Sequence, residues 1–180
     1  MEQQNSTTLE PVSTRSAGVR YGLIAAVIGI VYFLVLNAAG IDMQEGAWRW
    51  FGYVITIVLV VLAHKYFKDN NGGFMAYGQG VGIAFWLSLV SSVINSIFTY
   101  VYVKFIDTAF IDAMKEKQMA QMQERGMSDE QIDQAMQISS MFMSPEAIFI
   151  FALVFGILGT VIIGLIVSIF TQKKAAEQAY

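Results

Sequence analysis

Cysteine is absent from the 180 residues, so disulfides, thiolate catalysis, iron–sulfur clusters and cysteine-based zinc sites are excluded. Charge is scarce: Asp, Glu, Lys and Arg make up 14% of the chain, against about a quarter in an ordinary soluble domain. It is also uneven, with none between Asn70 and Val103 and none between Ala147 and Gln172. No lysine- or arginine-rich block could follow a phosphate backbone, so nucleic acid has no support as a partner. A net charge of −3 argues for no charged partner of either sign.

What is present in quantity is apolar surface, 56% of the residues. Runs above about 18 apolar residues read as membrane spans, because a helix rises ~1.5 Å per residue and the hydrocarbon core is ~30 Å thick. A soluble helix needs one apolar stripe, and these runs are apolar all round. The pattern predicts an all-α fold: an integral membrane four-helix bundle with spans at about 18–41, 48–67, 75–103 and 146–170. These make up a transmembrane domain over 17–172, between a disordered polar tail (1–16) and a short C-terminal tail (173–180). A cleaved signal peptide competes for the first run, but that run exceeds the usual ~7–15-residue apolar region and lacks a clean cleavage site.

The second span carries Arg49 at one end and His64 and Lys65 at the other, with Trp48, Trp50, Tyr66 and Phe67 suited to interfacial aromatic belts. His64, the only histidine, reads as an interfacial residue beside Lys65. Lys68-Asp69-Asn70-Asn71-Gly72-Gly73 is a compact polar turn. The third run, Phe74 to Val103, is ~45 Å of helix, so it must tilt or protrude.

Between the third and fourth spans, residues 104–145 predict an amphipathic two-helix extramembrane loop. One helix runs from about Thr108 to Arg125 and stops at Gly126, in position for a left-handed C′ residue. The other opens with Ser128 and Gln131 at capping-box spacing, and Ile132, Ala135, Met136 and Ser139 to Met143 follow helical spacing. Ser144-Pro145-Glu146 then starts the last span as cap, first helical residue and acid at the positive end of the dipole. From Lys104 to Glu146 there are eight acids and four cations. Met114, Met119, Met122, Met127, Met136, Met141 and Met143 give this segment a deformable apolar face. A protein partner, or a second copy in a homo-oligomer, is the expected occupant.

Small residues recur at every fourth position: Gly80, Ala84, Ser88, Ser92 and Ser96 in the third span, and Gly156, Thr160, Gly164 and Ser168 in the fourth. Lipid supplies no hydrophobic drive between helices, so close approach over small residues must supply it. Such a row overshoots a turn by ~40° per step; it suits a right-handed crossing of the two spans, or else serves two neighbours. Gly18, Gly22 and Ala26 suggest the same device in the first span. Asn95 closes a weakly polar stripe with Ser88, Ser92 and Thr99, and its amide is expected to point inward and bond across helices.

The stripe could also form the wall of a small channel or carrier for a neutral solute, the alternative to a partner-binding protein. No Asp, Glu, Lys or Arg lies in the centre of a span, which counts against proton- or ion-coupled transport. No serine has a base beside it, and no nucleophile-elbow, metalloprotease or phosphate-cradling motif occurs; Gly78-Gln79-Gly80-Val81-Gly82 follows a turn, not a strand. No enzyme activity and no cofactor are expected. With both termini inside, the inner segments hold Arg15, Arg20, Lys65, Lys68, Lys173 and Lys174, and the outer ones Arg49, Lys104, Lys115, Lys117 and Arg125. The inner cations sit at span ends, where charge sets orientation. A multi-pass protein of the inner, cytoplasmic membrane follows, with both termini cytoplasmic.

Four stretches resemble a known family: Phe67-Lys68-Asp69-Asn70-Asn71-Gly72-Gly73, Tyr77-Gly78-Gln79-Gly80, Tyr100-Val101-Tyr102-Val103-Lys104-Phe105-Ile106-Asp107 and Gly126-Met127-Ser128-Asp129-Glu130-Gln131-Ile132. Their order and spacing resemble the domain of unknown function 4199 family, small bacterial membrane proteins met mainly in bacteroidetes. The resemblance implies a four-span inner-membrane protein and carries over no functional residue.

Overall fold

The computed structural model describes residues 11–41 and 46–174. They form six α-helices: α1 (Thr14–Ala38), α2 (Gly46–Asp69), α3 (Tyr77–Val101), α4 (Phe110–Glu124), α5 (Asp129–Ser140) and α6 (Pro145–Thr171). A π-helical turn, Tyr102–Ile106, extends α3 and closes with the Asp107 amide donating to the Tyr102 carbonyl at 2.8 Å. Among the described residues there is no strand, only an isolated antiparallel bridge between Met75 and Lys173.

Four helices are long and apolar enough to cross a membrane: α1, α2, α3 with its π-helical turn, and α6, of 25, 24, 30 and 27 residues. At ~1.5 Å per residue each exceeds the ~30 Å hydrocarbon core. Large apolar side chains such as Val27, Trp50, Ile97 and Phe155 lie exposed along them, and only lipid makes that arrangement stable. This is an all-helical, multi-pass membrane protein.

Local chemistry sets the helix ends. Ser13 caps α1, its hydroxyl accepting from the Ser16 amide at 3.0 Å, so helix begins at Thr14 inside the segment expected to be a disordered tail. The rest of that expectation, residues 1–10, lies outside the described residues. Ser128 and Gln131 form the capping box that opens α5, and Ser144 caps α6 by accepting from the Ala147 amide at 3.1 Å. Gly126 has φ +74° after α4, a conformation that favours glycine. Helix α5 stops at Ser140, short of the Met143 expected from spacing, because the chain must turn before Ser144. Met75, expected within the third span, instead pairs with Lys173.

The chain divides into two compact units, one of Met1–Ser91 with Ile157–Tyr180 and the other of Ser92–Gly156. In the first, Ala17, Val60, Ala63, Phe67, Ile83, Ala84, Leu87 and Val167 build one core from all four spans. Glycine sets the distances there. A Cβ on Gly22 would stand 2.8 Å from Val90 Cβ and 2.9 Å from the Leu87 carbonyl, and one on Gly18 would collide with Trp86. The contacts advance along α1 and α3 together, so these helices run parallel. A Cβ on Gly164 would overlap that of Ala84, and one on Gly80 would lie 2.6 Å from Ser168 Oγ. Each step of four along α3 is thus matched by a step of four back along α6.

In the second unit a Cβ on Gly156 would lie 2.7 Å from Ser92 Oγ. Lys104 Nζ donates to Glu146 at 2.8 Å and to the Tyr100 hydroxyl at 2.5 Å, clasping the end of the third span to the first turn of α6. Helices α4 and α5 fold on one another within this unit, and Ile132 is the residue α5 buries.

Replacing Gly164 with alanine forces a methyl into Ala84, and overpacking of this kind typically costs ~1–3 kcal/mol. A Cβ on Gly159 meets nothing within 4 Å. Gly164→Ala is therefore expected to lower unfolding stability in detergent by about that amount, with Gly159→Ala unchanged or slightly more stable. Equal effects would show that the α3–α6 approach does not set stability.

Candidate functional site

Helical phase places Val60, Ala63, His64 and Phe67 on one stripe of α2, all buried, while Lys65 points outward. His64 is 0% exposed. Its Nε2 lies 2.9 Å from the Gly80 carbonyl at the start of α3, and its Nδ1 lies 2.8 Å from Thr171 Oγ1 at the end of α6. One side chain thus ties three spans. This corrects the interfacial reading, which followed the neighbour Lys65 instead of the helical phase shared with Val60 and Phe67.

A carbonyl only accepts, so Nε2 carries a proton and donates to Gly80. Thr171 Oγ1 has one proton and two acceptors in reach, Nδ1 and the Val167 carbonyl at 2.9 Å. With one proton on the ring, Thr171 donates to Nδ1. With two, Nδ1 donates to Thr171, whose hydroxyl turns to Val167. The site satisfies either form by rotating a hydroxyl, with no heavy atom displaced.

Gly80 serves this node twice. Its carbonyl accepts from His64, and its missing side chain lets Ser168 approach, the hydrogen in the Cβ position pointing at Ser168 Oγ. Ser168 is fully buried and its hydroxyl has no hydrogen-bond partner among the described residues, which leaves the Gly80 C–H as its contact, a weak donor.

The surroundings hold these helix ends in place. Lys68 Nζ donates to the Thr171 carbonyl at 3.0 Å, placing a cation at the negative end of the α6 dipole. Met75 and Lys173 exchange two backbone hydrogen bonds of 2.8 Å. Asn71 Nδ2 donates to the Phe67 carbonyl at 2.7 Å and to the Val12 carbonyl at 3.0 Å, linking the α2–α3 turn to the entrance of α1. Arg15 stacks over Trp86, Arg20 over Tyr66 and Lys173 over Phe74, at 5.0, 4.5 and 5.6 Å.

Of the expected packing residues, Gly80 meets Ser168, Ala84 meets Gly164, and Ser92 meets Gly156. Ser88 is buried and donates to its own helix, at the Phe85 carbonyl 2.8 Å away. Thr160, half-buried, occupies the position that the register sets opposite it. Ser96 is buried with no hydrogen-bond partner for its hydroxyl among the described residues, and Asn95 is half-buried. No group of three or more His, Asp or Glu converges among the described residues.

The family model described as Protein of unknown function (DUF4199) matches residues 20–173. The chain belongs to this family. The matched stretch takes in His64, Gly80, Ser168 and Thr171, and with them every element of the DUF4199 fold described above from the first turns of α1 onward. No match is found among curated proteins or among solved structures.

Interhelical hydrogen bonds within membranes contribute about 0.6 kcal/mol on average and up to ~2. His64→Leu removes two of them, so a stability loss of ~1–3 kcal/mol is expected in detergent unfolding, with Lys65→Leu close to neutral. An unaffected His64→Leu variant would remove the node from the account of stability.

Proposed function

We propose that this chain is a non-enzymatic protein of the bacterial inner membrane, with both termini cytoplasmic, whose outer helical loop at 104–145 binds a protein partner or joins copies of the chain. The observation that carries this reading is that α4, 15 residues long, buries no residue at all. On this helix, which folds on α5, Met114 is exposed and Ile111, Met119 and Met122 are half-buried. A thioether surface of this kind adapts to varied partners.

Orientation rests on the cation-rich end of the first unit. Arg15, Arg20, Lys65, Lys68, Lys173 and Lys174 lie at the start of α1, the end of α2 and the end of α6, where Asp69 is the only acid in the adjoining helix turns. Cations flanking short connections favour the cytoplasmic side. The solute-pathway reading gains no support from Ser88 and Ser92, since one bonds its own helix and the other packs against Gly156.

A photo-crosslinker at Met119 or Met136 in native membranes is expected to yield one discrete protein adduct, to a partner or to a second copy. Adducts to lipid alone would overturn the reading. A topology reporter fused after Lys174 should be active only in the cytoplasm and one inserted at Gly126 only in the periplasm; the reverse would invert the orientation.

A further inference from the structure

The loop does not leave the membrane as cleanly as its charge count implies. At the end of α5 the chain turns, and Phe142 lays its ring against α6, meeting Phe151 edge-on at 5.7 Å. Phe151 in turn stacks on Phe155 at 5.9 Å. Phe151 is six residues into α6, ~9 Å along its axis. Phe151, Val154 and Phe155 lie on an exposed face of that span, which in a membrane protein is a lipid face. The Phe142 ring is therefore the top rung of an aromatic ladder that continues down a lipid-facing surface.

The neighbours of Phe142 have the same character. Met141 is 69% exposed and Ile138 62%, and directly after Lys104 of the clasp Phe105 is 69% and Ile106 66% exposed. In sequence they are bracketed by the clasp, Tyr100 and Lys104 before Phe105 and Glu146 after Phe142, a charged and phenolic group of the kind that sits at headgroup level. Helix α5 is graded along its length, with Asp129, Glu130 and Asp133 at its start and Ile138 near its end. Such a helix suits a slanted entry, acids in water and apolar end in lipid.

We propose that the end of α5 and the turn into α6 are immersed in the bilayer interface, with Ile138, Met141 and Phe142 contacting acyl chains. The occupant is lipid because the patch is continuous, through Phe151 and Phe155, with the lipid face of α6. The inference rests on the membrane-spanning role of α6 and not on a protein partner. It divides the loop into a lipid-bound base and an α4 surface left for other contacts.

The absence of cysteine makes any introduced cysteine the only labelling site. Met141→Cys and Ile138→Cys carry nitroxides on exposed side chains outside the ring ladder, with Phe155→Cys as the lipid reference and Glu130→Cys as the water reference. The full chain is reconstituted in phosphatidylcholine–phosphatidylglycerol vesicles, and collision with oxygen and with a neutral nickel chelate is measured by electron paramagnetic resonance. The expected result at positions 141 and 138 is a loss of nickel access relative to Glu130, with oxygen access as at Phe155. Nickel access equal to that at Glu130 would place the turn in water and overturn the proposal. Exclusion of both reagents would mean that protein covers the patch, and would overturn it as well.

Discussion

Lipid is as apolar as the helices it surrounds, so these four spans gain little by hiding leucine or isoleucine from it. What remains is dispersion at short range, and short range requires that side chains be absent where backbones meet. Gly164 against Ala84 is the tightest such place. Because the two rows of small residues on α3 and α6 advance by the same step in opposite directions, one tight contact determines the rest. Gly80 against Ser168 follows from it, and Gly18 and Gly22 repeat the device where α1 lies along α3.

Close approach makes the polar groups affordable and also uses them. A buried imidazole without partners would be destabilising in this setting. Here the Gly80 backbone comes near enough for its carbonyl to accept from His64, while Thr171 reaches the other ring nitrogen. The same glycine thus permits both the packing and the polar tie. At the opposite end of the third span the tie is ionic and exposed, Lys104 to Glu146, and exposed pairs of this kind contribute little to stability. Its role is geometric: it fixes where the loop departs and returns.

Length and apolarity made the spans readable, since no soluble helix explains runs of 25 residues without charge. Ser128, Gln131, Ser144 and Gly126 were readable too, because caps act within four residues of chain. The small-residue rows were visible as a period, but their register was not, since it depends on which residue of α6 lies opposite Gly80. His64 was misplaced for a related reason. Its sequence neighbour Lys65 belongs to the outside of the helix, and only the phase from Val60 to Phe67 put the imidazole inside. The Met75–Lys173 pair joins residues 98 positions apart, and no local signal announces a contact of that range.

That pair has a mechanical meaning. The backbone leaving α6 does not hang from its helix; two hydrogen bonds at Met75 and Lys173 attach it to the short connection between α2 and α3. A force drawn on the chain beyond Lys173 therefore loads the bridge before it can unwind α6. It is carried into the α2–α3 connection, and from there through Asn71 to Val12 at the entrance of α1. Tension on one strand of the chain is shared among all four spans.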